Sequence, residues 1–211
     1  MKKILFELRS AINIKKKYFL FDQKKIRIKQ YIKGLNSLKK NYSNMKKIDF
    51  IYVDNTLENS KHIPQGIKLN LPSNCRLLVK FNNYYGKYNK GAGDIEMWKS
   101  YLSIIKRYEF FFHYEPRMIL KDFSFIKSFL ENPRNFFSIA VKSKQVKTGY
   151  FGVNTKDFTR FITKTNLNDM IFNKISIENL MYNFFKNKKS EFIKKEFFLW
   201  HDQQINKYVG Y

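Results

Sequence analysis

The chain has 211 residues, enough for one domain with a substantial core, and its 44% hydrophobic and 18% aromatic content excludes a globally disordered chain. A single cysteine, Cys75, excludes an intrachain disulfide framework and a zinc–thiolate cluster; beside Leu77 and Val79 it is expected to pack rather than to act as a nucleophile. The formal charge of +24 attracts nucleic acid, acidic lipid or phosphorylated ligands without choosing among them.

Residues 1–50 carry 15 Lys or Arg against 3 Asp or Glu, about half of the net charge. The excess is mostly Lys and comes with abundant Asn, Ile, Phe and Tyr, so drift toward AT-rich codons explains it as readily as function does. No run reaches the roughly 18 to 20 apolar residues that cross a bilayer. The opening MKKILFELRSAINIKKK is broken by Glu7, Arg9 and a lysine triplet, which argues against a secretory signal and for a soluble, cytoplasmic protein.

Along the chain, KKYFLFD (16–22) predicts a strand. In KKIRIKQYIKGLNSLKKN, Ile28, Tyr31, Ile32, Leu35 and Leu38 recur at three- and four-residue spacings, which predicts a helix with a basic outer face. IDFIYVDN (48–55) is nearly continuous in apolar residues, as in a strand covered on both faces. Strand, helix and strand in succession imply a parallel α/β unit. CRLLVKF (75–81) predicts another strand, residues 94–107 a helix, and YEFFFHYE the most apolar and most central strand. FFSIAVK and TGYFGVNT predict strands, whereas DFTRFITK, SIENLMYNFFKN and EFIKKEFFLWHD predict helices, with Ser176 capping the one that begins at Ile177. The pattern is one α/β domain with a mostly parallel central sheet flanked by helices.

In such sheets ligands sit outside the carboxyl ends of the strands. Three strands end informatively: one in Val53-Asp54-Asn55-Thr56, one in His113-Tyr114-Glu115-Pro116-Arg117, and one running through Gly149 to Gly152. His113 and Glu115, two apart, fall on one strand face, where imidazole and carboxylate can bind a divalent cation or a polarised phosphate. Arg117 offers a planar donor fork to a diphosphate, and Pro116 ends the strand pairing. The plainer alternative is a buried His/Glu hydrogen bond or a Glu/Arg ion pair.

The order of these segments resembles the GT-A glycosyltransferases, a Rossmann-like fold that moves a sugar from a nucleotide-sugar to an acceptor hydroxyl. IYVDNT is similar to that family's V-D-N-x-S strand end, which implies a nucleotide-contacting role for Asp54 and Asn55. Asn89-Lys90-Gly91-Ala92-Gly93 resembles its N-x-G segment, which implies donor contacts at Asn89 and Gly91. His113-Tyr114-Glu115 falls where the family carries D-x-D. TGYFG resembles the glycine-bearing segment before the acceptor side, Glu178 falls where the catalytic base of inverting members stands, and Trp200-His201-Asp202 where a histidine joins the metal shell. The likeness in order covers roughly residues 16–202.

The resemblance implies donor positioning by Asp54 and Glu115 and base catalysis by Glu178; Arg117, which lies outside the family's pattern, is expected to neutralise the leaving group with His113 or a metal. The replacement of D-x-D by H-x-E leaves two solutions. His113, Glu115 and His201 bind Mn²⁺, for which this donor set is better suited than for Mg²⁺, or Arg117 and nearby lysines neutralise the diphosphate without metal. The implied partners are a nucleotide-sugar donor and a glycan or lipid-linked glycan acceptor of cell-surface polysaccharide assembly. A lysine-rich N-terminal region would hold the protein at the anionic inner face of the membrane. The competing readings are a non-catalytic nucleic-acid-binding protein, against which the scarcity of Arg and the absence of a zinc finger, helix-turn-helix or RNP motif argue, and a silent carbohydrate-binding or scaffold module.

Overall fold

A computed structural model describes residues 3–14, 23–45, 47–140, 145–202 and 207–210, with backbone alone beyond Leu199. In chain order the elements are β1 (Ile4–Ser10), α1 (Gln23–Lys39), β2 (Asp49–Asp54), α2 (Gln65–Lys68), β3 (Arg76–Val79), α3 (Lys90–Ser100) and α4 (Leu102–Ile105). There follow β4 (Phe110–Tyr114), β5 (Ile119–Leu120), α5 (Ser124–Glu131), β6 (Asn135–Ile139), β7 (Val146–Asn154), α6 (Thr155–Lys164), α7 (Leu167–Phe172), α8 (Ile177–Phe185), β8 (Ser190–Ile193), β9 (Phe198–Asp202) and β10 (Lys207–Gly210).

The expected α/β architecture is present: a seven-stranded, mostly parallel central sheet in the order β3-β2-β1-β4-β7-β6-β8, flanked by helices. β2 pairs in parallel with β3 (Ile51 opposite Arg76), and β6 pairs in parallel with β8 and antiparallel with β7. A second, three-stranded antiparallel sheet runs β10-β9-β5. Every residue of β1 and of β4 is buried, which is why FFFHY reads as an unbroken apolar run.

The chain forms two compact units, one of residues 1–5, 82–112 and 128–195, the other of residues 6–81, 113–127 and 196–211. The divisions at 5/6, 112/113 and 127/128 fall inside β1, β4 and α5, and those at 81/82 and 195/196 between elements. The first unit packs around rings. Trp98 meets Phe158 edge-on at 5.0 Å, Phe111 stacks on Phe158 at 4.9 Å, and Phe137 contacts Phe151, Phe185 and Phe192. Each fully buried Phe contributes about 1.5–3 kcal/mol of transfer free energy. In the second unit Phe6 packs on Phe50, and Tyr31, Leu35 and Leu38 form the buried stripe of α1.

Several expectations change. The strand expected at residues 16–22 lies outside the described residues. The helix expected at 94–107 starts at Lys90 and is interrupted at Tyr101, whose φ of −130° and ψ of 27° end α3. Its early start follows from Asn89, whose side chain accepts from the Ala92 amide and caps the helix. Residues 191–202, expected to be helical, form β8 and β9. Pairing with β6 and β5 satisfies their backbone groups and overrides a helical spacing of apolar residues. Ser176 caps α8 as expected, accepting from the Asn179 amide at 3.3 Å.

Candidate functional site

In the second unit the site grows from strand alternation. Glu7 and Arg9 are two apart on β1, as His113 and Glu115 are at the end of β4, so each pair shares a face. Glu7 Oε2 and His113 Nδ1 form a hydrogen-bonded pair with side chains 0% and 1% exposed. The imidazole therefore meets a carboxylate as one reading anticipated, but the partner is Glu7 rather than Glu115. Glu115 instead accepts from Arg117 Nε at 2.7 Å, both side chains being buried. This is the ion pair of the plainer sequence reading.

Around that pair stand two more guanidiniums. Arg27 on α1 is 6% exposed and donates from Nε to the Ala11 carbonyl at 2.6 Å and from Nη2 to the Tyr31 hydroxyl at 3.3 Å. Tyr31 in turn accepts from the Ala11 amide at 2.8 Å, so the chain leaving β1 is tied to α1. Arg9 is also 6% exposed. Burial and then the charge of Arg117 push the Arg27 guanidinium below its ordinary value. Burial works against the charge on Arg117 as well, but Glu115, by charge and hydrogen bond, together with Tyr31 outweighs it and holds that group above its ordinary value, while Arg9 opposes. Burial raises the Tyr31 phenol above its ordinary value, against the charges of Arg27 and Arg117. Arg117 thus acts on Arg27 and is itself acted on by Glu115 and Arg9, so that buried guanidiniums and a carboxylate feel one another's charge.

Asp54 ends β2 with 0% exposure. Its Oδ1 accepts from the Thr56 amide, the Thr56 hydroxyl and the Leu57 amide at 2.7–3.0 Å, and its Oδ2 from Ser10 Oγ and the Ile12 amide. Both oxygens hold the loops that follow β1 and β2, so Asp54 shapes these strand ends. Asn55 is buried beside it at 1% exposure. Gly34 on α1 lies under the turn that carries Arg117. A Cβ there would stand 1.9 Å from the Pro116 carbonyl oxygen and 2.4 Å from that of Met118.

In the first unit, Asn89 caps α3 and also donates from Nδ2 to the carbonyls of Met170 (2.9 Å) and Ile175 (3.1 Å), which commits its side chain to the fold. Gly91 permits close packing, since a Cβ would meet the Ile177 side chain at 2.7 Å. The first turns of α3 and α8 are thereby brought together. Glu178, in the first turn of α8 and half-buried, accepts from Thr148 Oγ1 at 3.2 Å. An open cavity of about 680 Å³ in this unit, lined by Tyr108, Phe110 and Thr155 among others, contains none of the candidate residues.

Among the described residues no three His, Cys, Asp or Glu side chains lie close enough to share an ion. His113 is engaged by Glu7 and Glu115 by Arg117, and His201 lies in β9, where side chains are outside the described residues. The two described members, His113 and Glu115, do not by themselves make a metal site. Glu7, Arg9 and Arg27 are the residues sequence reasoning passed over. Their signals were two charges inside the apolar run ILFELRS, and an arginine in register with the stripe Tyr31, Leu35 and Leu38.

No family model matches the sequence, and no curated protein matches it. The structure is similar to that of a protein described as a nucleotide-diphospho-sugar transferase from Desulfovibrio desulfuricans G20, with a TM-score of 0.56 and 7% identity over 92% of this chain and 80% of that one. It is also similar to the bifunctional IspDF from Campylobacter jejuni, with a TM-score of 0.54 and 11% identity over 92% of this chain and 50% of that one. At such identities the likeness is one of fold alone. Among the described residues no helix is long and apolar enough to cross a membrane.

Proposed function

We propose that the protein is a glycosyltransferase that binds a nucleotide-diphospho-sugar and passes its sugar to an acceptor hydroxyl. The observation that carries this reading is the set of buried guanidiniums, Arg9, Arg27 and Arg117, against the carboxylate of Glu115 at the ends of β1 and β4. The fold, similar to that of a protein described as a nucleotide-diphospho-sugar transferase, supports it.

In this reaction the bond from the anomeric carbon to the diphosphate oxygen breaks and the bond to the acceptor oxygen forms. The nucleoside diphosphate leaves with the electron pair. Fixed guanidiniums aimed at the departing oxygens stabilise the negative charge as it develops, without the reorganisation that water requires. Glu115 positions Arg117, and the contacts of Arg27 with Ala11 and Tyr31 hold it in place. Glu178 takes the role the GT-A resemblance implies, accepting the acceptor's proton. Its half-buried carboxylate, oriented by Thr148, suits a base. Cell-surface glycan assembly is the setting, with a lipid-linked acceptor at an anionic membrane face. The 15 Lys or Arg against 3 Asp or Glu in residues 1–50 support that attachment.

The test is thermal unfolding with UDP, GDP, CDP, their sugar conjugates and the corresponding triphosphates, each with and without Mn²⁺, followed by product analysis with the donor that binds. A ligand at about 100 times its dissociation constant adds about 2.7 kcal/mol and raises the midpoint by several degrees. One nucleotide-sugar class is expected to give that shift in the wild type and not in an Arg117→Ala variant. Preference for a triphosphate would redirect the reading to nucleotidyl transfer, and no response to any nucleotide would end it.

A further inference from the structure

We infer that Tyr84 and Tyr88 form a docking platform for a negatively charged oligosaccharide, the acceptor class of the reaction proposed above, on which this inference rests. The fold buries rings such as Trp98, Tyr101, Phe111 and Phe136, whereas Tyr84 and Tyr88 are 58% and 65% exposed; Phe81 and Phe172 are exposed too, but it is the two tyrosines that pair with each other and carry hydroxyls. Their ring centroids lie 5.9 Å apart at 66°, and Tyr85 meets Tyr84 edge-on at 5.3 Å, so the rings form a shaped corner rather than scattered surface residues.

The corner stands on a fixed base. The Tyr85 amide donates to Glu96 Oε2 at 2.9 Å, tying the turn of residues 85–87 to α3. At Gly93 a Cβ would stand 2.6 Å from Gly86 Cα, so the turn and the first turn of α3 touch backbone to backbone. Rings held on such a frame lose little entropy when they bind, which favours their use as contacts.

Charge and composition select the occupant. Lys87 lies with Nζ 6.0 Å from the Tyr84 ring centroid, and both Lys87 and Lys90 are exposed. The nearby carboxylate of Glu96 is engaged by the Tyr85 amide, so the exposed charge beside the rings is that of the lysines, which favours an anion. The flat, partly polar faces of tyrosine suit the C–H faces of a sugar ring, with the phenol hydroxyls free to reach sugar hydroxyls. A single-stranded nucleic acid would need successive parallel faces along the chain, and gains from arginine, which these residues lack; two rings crossing at 66° flank one unit instead.

The experiment is calorimetric titration of the wild type and a Tyr84→Ala/Tyr88→Ala double variant with oligogalacturonate, maltotriose and oligothymidylate, alongside the nucleoside diphosphate that shifts wild-type unfolding. Because both side chains are exposed, the variant is expected to fold normally. The wild type is expected to bind oligogalacturonate in preference to maltotriose, and the double variant to bind it about tenfold more weakly, with nucleotide response unchanged. Wild-type protein that answers nucleotide but not oligogalacturonate, or a variant that binds it equally well, overturns the platform and leaves the donor reading standing. Oligothymidylate binding that the variant loses, without oligogalacturonate binding, also overturns it in favour of nucleic acid. Tyrosine-dependent oligogalacturonate binding without any nucleotide response supports the platform and removes the transferase reading.

Discussion

Arg117 donates to Glu115 at 2.7 Å across a turn of two residues, and both side chains are buried. Truncating one partner of a buried pair leaves the other charge uncompensated and costs about 3–5 kcal/mol. Glu115→Gln and Arg117→Ala are therefore expected to lower stability by similar amounts in urea unfolding. Their ligand responses are expected to diverge. The Gln variant increases the positive excess around Arg9 and Arg27 and keeps or strengthens the nucleoside diphosphate shift, whereas the Ala variant loses it. Parallel loss in both would reduce the pair to a structural contact.

Glu178 sits in the first turn of a helix, where any carboxylate is favoured by the dipole, so placement alone does not make it a base. Glu178→Gln keeps the shape and an oxygen for Thr148 to bond. Stability is expected within about 0.5 kcal/mol of wild type. Turnover is expected to fall by about 10²–10⁴, with donor binding intact. Turnover near wild type with donor bound would remove Glu178 from the chemistry.

Much of the scaffold was legible because its signals are local. The apolar runs of β2 and β4, the stripe of α1 and the Ser176 cap each follow from a few neighbouring residues. What failed depends on distant partners. β1 carries Glu7 and Arg9, charges that a strand buries only when a partner such as His113 waits elsewhere in the chain. β8 and β9 carry a helical spacing that pairing overrides. The site was half legible: strand ends named Asp54, His113, Glu115 and Arg117, but not that Asp54 would turn both oxygens inward, nor that Arg27 would lie on the buried face of a helix read as basic outside and apolar inside.

Gly34 tests how closely α1 supports the arginine turn. A Cβ at 1.9 Å and 2.4 Å from two backbone oxygens has no flexible neighbour to displace, so α1 or the turn must move. Gly34→Ala is expected to cost at least about 1–3 kcal/mol despite the gain in helix propensity, and to weaken the nucleoside diphosphate shift. Asn36→Ala, exposed on the same helix, serves as the control and is expected to stay within about 0.5 kcal/mol. A Gly34→Ala protein as stable and as responsive as the control would mean that the turn is not seated on α1.

Cys75 offers a check independent of function. Burial pushes its thiol up from 9.0 to about 12, partly offset by the Tyr52 backbone and the charge of Arg76. The stabilising share of the neutral thiol is fully present below the unfolded value of 9.0. It is lost as pH rises through about 12, because the unfolded chain gives up its proton first. At pH 8 the native thiol is far less ionised than the unfolded one, and the thiolate is the nucleophile. Native protein is therefore expected to react with iodoacetamide far more slowly than urea-unfolded protein, with the difference narrowing as pH rises toward 12. Alkylation of the native chain at the unfolded rate would show that the fold does not shield the half-buried Cys75.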